Sequence, residues 1–570
     1  MANQQVLRRD MPGVAEAMKN GEEVVFIESK FGCNDHLFNW LDEKGLWPIF
    51  RSIQPDLKRD GGVPPECLNG LFAAMTLSGL EAIQQANPML TDGRLMAEVG
   101  FNLMEVQDKL KNGEGAIHRD TLRNHLKRDG GVPPECLNGL FAAMTLSGLE
   151  AIQYANPMLT DGRLMAEVGF NLMEVQDKLK NGEGAIHRDT LRNHLKRILI
   201  AESKRAFYEH VALMRNRKWL RGGVYAADGM KIVVTSGNSY EGCGRVWDPD
   251  TRRYVYGYKV VYIFNLSPNR PRIVALAVGP INMDERELLL EALRDLRAHV
   301  CPPKDMIDVL VLDRGYWGAR YFSELIGEFG LDIVTLCRSD LAIHREAWAL
   351  AQFDGEKRPL VRHIKRVNNQ GKELRYVRHI KAVEGIEAWD ETGKTSLKLN
   401  AVCVREINED TGEVSSIVFL TTLDVSEKPA QIADYYDLRW NIENRCNREL
   451  SQKWNVRRPI GRKLRAIFAQ ICMSAMCLNA ARIYEEQKPK DAEKLRSEME
   501  RQGQKSYLLG HGAVVIVPGR LIYATMSYKR WVDLSSLKVA RRVGDLVAQG
   551  MSVEEALSLI SGEQQEEQEA

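Results

Sequence analysis

The sequence predicts an α/β protein built around a mixed β-sheet, and two observations carry that prediction. From about Gly222 the chain alternates β-branched, aromatic runs with amphipathic helical segments, in the order β-β-β-α-β-α-β. Its composition, 44% hydrophobic and 27% charged over 570 residues, is that of a globular chain with a sizeable core. Such a composition excludes a wholly disordered chain, a collagen-like rod and a small disulfide-stapled scaffold.

The elements follow from local pattern. GVYAADGMKIVV (223–234), YGYKVVYIFNL (256–266) and PRIVALAVG (271–279) are strand-like runs separated by glycine or proline turns. DERELLLEALRDLRAHV (284–300) has helical periodicity with its acids early, where the helix dipole favours them. MIDVLVLDRGYW (306–317) contains a buried strand, ARYFSELIGEFG (319–330) a helix and LDIVTLCR (331–338) a further strand. Residues 341–425 interrupt this succession as a β-rich insertion, with VRHIK at both 361–365 and 377–381. From Pro429 the pattern returns to helix through about residue 485, which places an α/β domain at 223–485. The region 486–570 holds a charged helix, a hairpin over 512–527, two more helices and an acidic tail, GEQQEEQEA, too polar to fold.

Ahead of the α/β domain lies a near-perfect tandem repeat. Residues 57–125 recur as 126–194, offset by 69 positions, and differ only at Gln85 against Tyr154. Solenoid repeats drift apart in sequence and usually number three or more, so two copies this alike indicate a recent in-frame tandem duplication of the gene or an error in assembling its sequence. The N-terminal region is 1–56, copy one 57–125, copy two with its extension 126–197, and a linker helix 198–222. Each copy is helical by pattern, ending in a glycine turn and a short basic helix that suits a helix-turn-helix DNA reader. One copy carries seven basic and nine acidic residues, so a plain helical bundle fits equally well.

Net charge is +1, from 78 basic and 77 acidic residues, and by itself favours no partner class. The ten cysteines form no CxxC pair and no cluster with zinc-ligand spacing, and His363 and His379 show none either, which points to free thiols in a reducing compartment. No apolar leader follows MANQQVLRRD, and the charge-free run Ala466 to Ala481 is short for a membrane span. The expectation is a soluble, cytoplasmic protein.

Three acids stand out by position. Asp228 follows the strand run VYAA, Asp313 ends VLVLD, and Glu443 lies in the helical run YYDLRWNIENRCNREL. Carboxylates at buried strand ends are costly unless paired, hydrogen-bonded or metal-bound. Tyr436, Arg439 and Glu443 stand at i, i+3 and i+7, on one helical face, where an Arg and a Glu near two strand-end carboxylates suit divalent cations and phosphate. Alternatives stay open: a strand-end Asp also serves as a turn residue, and Arg439 with Glu443 also makes an ordinary i, i+4 ion pair. Downstream, Arg445, Arg448, Lys453, Arg457, Arg458, Arg462, Lys463 and Arg465 crowd one stretch with Glu449 as its single acid, a charge run placed for phosphate contact. A second basic stretch, MRNRKWLRGG, spans 214–223, whereas glycine-rich SGNSYEGCGR at 236–245 lacks phosphate-loop spacing and reads as a loop between strands.

These motifs together resemble bacterial insertion-sequence transposases of the DDE superfamily, in the group with a Y-x-x-R-x-x-x-E signature. Tyr436, Arg439 and Glu443 fit that signature, LDRGYW fits the second-Asp motif and AADGM the first. The resemblance covers about residues 220–480 and implies a ribonuclease H-like catalytic fold with a β-rich insertion before the Glu-bearing helix. The 130 residues between Asp313 and Glu443 leave room for one. It further implies two Mg²⁺ or Mn²⁺ ions held by Asp228, Asp313 and Glu443, and in-line attack on DNA phosphates by water and then by a 3′-hydroxyl. Arg439 would brace a phosphate, and Trp440, which also fits a core position, would stack on a displaced base. The group's signature Lys falls on Leu450 here. The function implied is binding of element ends, cleavage and strand transfer, by a homodimer on paired ends. A DNA-binding relic that no longer cuts is the alternative, motivated by the duplication, and a structure-specific nuclease of the same fold is a third.

Overall fold

The computed structural model describes residues 8–22, 24–29, 40–53, 137–138, 140–142, 193–234, 239–249, 251–266, 271–353, 359–367, 373–389, 396–441, 446–452, 454, 456–459, 461–493, 512–520, 522–527, 534 and 546. Along the chain run β1 (Arg8–Arg9), α1 (Met11–Lys19), β2 (Val25–Ser29), α2 (Leu46–Arg51), α3 (Ile200–Asn216), β3 (Val224–Val234), β4 (Gly244–Asp248), β5 (Arg253–Asn265) and β6 (Arg272–Pro280). There follow α4 (Glu285–His299), β7 (Val309–Leu312), α5 (Ala319–Phe329), β8 (Asp332–Leu336), α6 (Ala342–Phe353), β9 (Leu360–Val367), β10 (Glu373–Trp389), β11 (Ser396–Asn408) and β12 (Val414–Thr421). The last are α7 (Pro429–Asn441), α8 (Arg448–Gln452), α9 (Leu464–Gln487), β13 (Gly512–Val517) and β14 (Ile522–Ser527). Two compact units result, Phe207–Pro459 and Met1–Ala206 with Ile460–Ala570. The first repeat copy and the helix-turn-helix reading of the second lie outside the described residues, as does the acidic tail.

The unit Phe207–Pro459 is organised by one ten-stranded mixed sheet. Its centre is β6-β5-β3-β7-β8, with β3, β5 and β6 antiparallel and β7 and β8 parallel to β3. That order, with α4 crossing over between β6 and β7 and α5 between β7 and β8, is the ribonuclease H-like arrangement. The sequence dictates it plainly. β5 and β6 read as near-continuous apolar runs because both their faces are covered; Val260, Val261, Ile263, Phe264, Ile273, Val274 and Ala275 are fully buried. α4 starts where Asp284 accepts a hydrogen bond from the Arg286 amide, and it lays Leu288, Leu289, Ala292, Leu293 and Leu296 on the sheet. α5 stops at Gly330, whose left-handed conformation (φ 67°) closes the last turn.

The β-rich insertion at 341–425 holds four strands, β9 to β12, and opens on a helix, α6. Its strands join the central sheet: β12 pairs antiparallel with β8, and β12-β11-β10-β9 carry the sheet onward. The physical reason is the free edge of β8, whose unpaired amides and carbonyls β12 satisfies through Thr421↔Val334, Leu420↔Thr335 and Phe419↔Leu336. The helical stretch expected from Pro429 to about 485 is interrupted between α8 and α9, where described residues 454, 456–459 and 461–463 are not helical.

In the other unit, β13 and β14 form the hairpin expected over 512–527, and β2 and β1 flank it to make a sheet β1-β14-β13-β2 that α1 covers. α9 is buried on every side from Ala466 to Tyr484. Its 24 residues are long and apolar enough to cross a membrane, a length the charge-free run Ala466–Ala481 understates, yet its most apolar window is wholly buried in protein. None of the seven described cysteines is in a disulfide, and six of them are buried.

Candidate active site

β3 and β7 run side by side in parallel, with Ala227 opposite Leu312. The next residues of the two strands, Asp228 and Asp313, therefore project from neighbouring strands at the same level, where β7 ends. Asp228 is still within β3, opposite Tyr262 of β5. Asp313 opens a 3₁₀ turn over Arg314–Tyr316, and the Tyr316 amide donates to its carbonyl at 3.0 Å. Both aspartates are half-buried, in contrast to the closed Ala227 and Leu312 before them.

The residue after Asp228 must be small. A Cβ on Gly229 would come within 2.7 Å of the Glu285 carboxyl group, which occupies the space beside the first aspartate. Glu285 is compensated by Lys259, 3.5 Å away, and Lys259 is itself held by the Met283 carbonyl at 2.8 Å. Tyr316 is buried, and its hydroxyl has no hydrogen-bond partner among the described residues. Burial first, then the charges of Glu285, Asp228, Asp313 and Asp284, push this phenol well above its usual range, so it stays protonated.

α7 brings two of the signature residues onto the second aspartate. Tyr436 donates its hydroxyl to Asp313 Oδ1 at 3.2 Å, and Arg439 Nη2 lies 3.5 Å from the same oxygen. Both side chains are 5% exposed, so they face inward to Asp313. The Tyr436 ring packs on Phe419 with centroids 5.1 Å apart, and the Arg439 guanidinium stands 5.1 Å from its centre. Burial raises the Tyr436 phenol; Arg439 pulls it back, and Asp313 adds to the rise, leaving a neutral donor at physiological pH.

Asn447 belongs to the site and escapes the sequence reading. Its Nδ2 donates to Asp228 Oδ2 at 2.6 Å, a neutral amide on the first aspartate to match the neutral phenol on the second. The one sequence cue is spacing, since Asn447 stands four residues after Glu443 on a helical pattern.

α7 itself is clamped to the inserted strands. Arg378 on β10 is 1% exposed and bonds Glu406 on β11 at 2.7 Å and both oxygens of Asp437 on α7 at 2.7 and 3.0 Å. Arg366 on β9 joins the same two acids at 2.8 and 3.1 Å, and Arg362 reaches Asp434 at 2.7 Å. Burial draws the Arg378 guanidinium down, and the two carboxylates outweigh it and hold it above its usual range. Asp437 adjoins Tyr436, so the clamp fixes the helix turn that touches Asp313.

Among the other predicted residues, Arg448, Arg457, Arg458, Arg462, Lys463 and Arg465 are exposed. Leu450 is fully buried, a packing position where a cation would meet closed core. Glu443, Arg445 and Lys453 lie outside the described residues, as does the side chain of Trp440. Among the described residues no three His, Cys, Asp or Glu side chains form a group able to hold a metal ion.

A five-strand ribonuclease H-like centre with paired aspartates at adjoining strand ends defines a class of phosphoryl-transfer domains acting on nucleic acid. Residues 221–480 match the family described as Transposase DDE domain, and the chain carries a DDE-superfamily transposase domain. DNA is the partner such a domain implies. No curated protein matches the chain.

Proposed function

We propose that the chain is a transposase of the group with the Y-x-x-R-x-x-x-E signature, which binds the ends of its element, cuts there and joins them to target DNA. The observation that carries this reading is the side-by-side placement of Asp228 and Asp313 within a transposase DDE domain. Asp228, Asp313 and Glu443 are the residues that would hold two Mg²⁺ or Mn²⁺ ions, which lower the pKa of bound water and neutralise phosphate charge. The donor set suits them: hard carboxylate oxygens, half-open to solvent, with Arg439 no nearer to Asp313 than 3.5 Å.

The chain's own groups do the positioning. Tyr436 and Asn447 each fix one aspartate by a neutral hydrogen bond, orienting the carboxylate without neutralising its charge. Arg439, 3.5 Å from Asp313, supplies a positive charge beside the second aspartate, and the exposed Arg448, Arg457 and Arg458 supply contacts to the DNA backbone. A homodimer on paired ends follows from the need to act on both ends together.

The test is cleavage of labelled DNA carrying the element's own end, with Mg²⁺, Mn²⁺ or EDTA. Metal-dependent nicking at the element boundary is expected for the wild type, with a loss of at least about 10³-fold in Asp228→Ala, Asp313→Ala and Glu443→Ala. DNA binding without cutting in any divalent metal would instead favour a relic that occupies ends, and nicks without joined product a nuclease.

A further inference from the structure

β5 outruns its neighbours. Its second half pairs with β6 as far as Tyr258↔Pro280, and from Gly257↔Gly244 onward β4 takes over that edge. Both glycines at this junction are required by close approach: a Cβ on Gly257 would overlap the Ile232 carbonyl oxygen, and one on Gly244 the Asn282 side chain. Beyond them β4 and β5 run on, flanked by β3 as far as Tyr256 and as a two-stranded ribbon from Val255, and the two faces differ. Val246 opposite Val255 lies on the covered face, with Val255 7% exposed. Arg245 opposite Tyr256 and Trp247 opposite Tyr254 make up the other.

That second face is open. Trp247 is 50% and Tyr254 52% exposed, although they touch edge-to-face with centroids 5.2 Å apart. The Arg245 guanidinium stands 3.8 Å above the Tyr254 ring and 5.8 Å from that of Tyr256. Large aromatic rings left in water on a sheet face are the signature of a surface awaiting a partner. The charge says which partner. Arg245 on this face and Arg252 at the turn are exposed, and Arg253 is exposed on the opposite face across from Asp248, which accepts a hydrogen bond from Thr251 at 2.6 Å.

Position favours the same partner. β7 stops at Asp313, but β3 continues six residues past Asp228 to Val234, which pairs with Tyr256 at the ribbon. At ~3.3 Å per residue the ribbon starts about 20 Å from the paired aspartates and extends away from them along the strand direction. A duplex entering the site would pass it roughly six to eight base pairs from the cut, at ~3.4 Å per pair.

We propose that the β4–β5 ribbon is a second DNA grip, with Arg245, Trp247 and Tyr254 contacting the duplex that flanks the scissile phosphate. A two-stranded ribbon has the width of the major groove, where an Arg addresses phosphates or guanine edges and aromatic rings meet thymine methyls and sugars. The proposal rests on the transposase reading of the site.

The test uses full-length protein and a labelled duplex carrying the element's end. Trp247→Ala with Tyr254→Ala is expected to weaken binding about 10-fold or more, and Arg245→Gln to lower the slope of log affinity against log salt by about 1. Trp247→Phe, which keeps a ring, should retain binding. In hydroxyl-radical footprints the wild type should protect a patch about six to eight base pairs from the cut, and the double variant should lose that patch alone. Variants that bind and protect like the wild type overturn the grip and leave the transposase reading intact. A wild type that binds no DNA overturns both. Unchanged DNA binding with loss of self-association in light scattering would assign the ribbon to a second copy of the chain, and so overturn the proposal.

Discussion

Tyr436 and Asn447 show how neutral donors serve a site that must stay anionic. Each gives one hydrogen bond to a strand-end aspartate, at 3.2 and 2.6 Å, and neither brings charge. Tyr436→Phe keeps the ring packed on Phe419 and removes the bond alone, worth about 0.5–1.5 kcal/mol. The cleavage rate is expected to fall roughly 2- to 10-fold with DNA affinity unchanged. Asn447→Ala should behave alike, and single-turnover cleavage beside a binding curve separates the two quantities. At this scale the sequence was partly legible. Asp228 and Asp313 declared themselves because a carboxylate ending an apolar run is costly without a partner. Asn447 and Glu285 did not, since an amide or a glutamate on a polar helical stretch is ordinary until a neighbouring strand is seen beside it.

At the scale of elements, the strands and helices of the centre are legible because period-2 and period-3.6 patterns are local. The clamp on α7 is not. Arg378, Glu406 and Asp437 are charged residues far apart in sequence, each of which reads as solvated surface, yet Arg378 and Glu406 are 1% and 5% exposed. The ribbon escapes the sequence reading for another reason: 236–245 reads as a loop, yet Gly244 and Arg245 open β4, and Trp247 and Tyr254 beside them are half exposed. Removing Arg378 leaves the carboxylates of Glu406 and Asp437 sharing the single guanidinium of Arg366, one positive charge for two negative ones. Arg378→Leu is expected to cost about 3 kcal/mol or more and to lower the melting temperature by about 6–12 °C, with loss of cleavage as α7 loosens. Replacing Arg378 and Glu406 together by Met and Leu should recover much of the stability, since the uncompensated charge goes with its partner. Thermal melts of the three proteins, read beside their cleavage, check both statements.

For the molecule as a whole, acid is a predictable weakness. His210 is fully buried, and burial holds its imidazole down to about 3 against an ordinary 6.5. A histidine whose folded pKa is lowered favours the fold above the unfolded value, and that contribution drains away as pH falls from 6.5 toward 3. Between pH 7 and pH 5 the loss from this group is about 2 kcal/mol. Denaturant melts at the two pH values should show it, and His210→Leu should reduce the difference without abolishing it, because burial holds His194 down to about 3 as well. Of the whole-molecule organisation, the sequence revealed the duplication and the α/β domain, because identity and periodicity are local properties. It gave no sign that β2, near one end of the chain, pairs with β13, near the other, since backbone pairing between distant segments leaves no mark on either.

The join between β8 and β12 also bears on how such a protein can be cut down. A minimal nuclease made by splicing out 341–425 would bare the full edge of β8, a short apolar strand whose Ile333 and Val334 are buried today. Open, flat and hydrophobic edges recruit other edges, so the trimmed domain would stack into aggregates before it could be assayed. The inserted strands thus act as the sheet's selvedge, a finished border that keeps the weave from fraying into its neighbours.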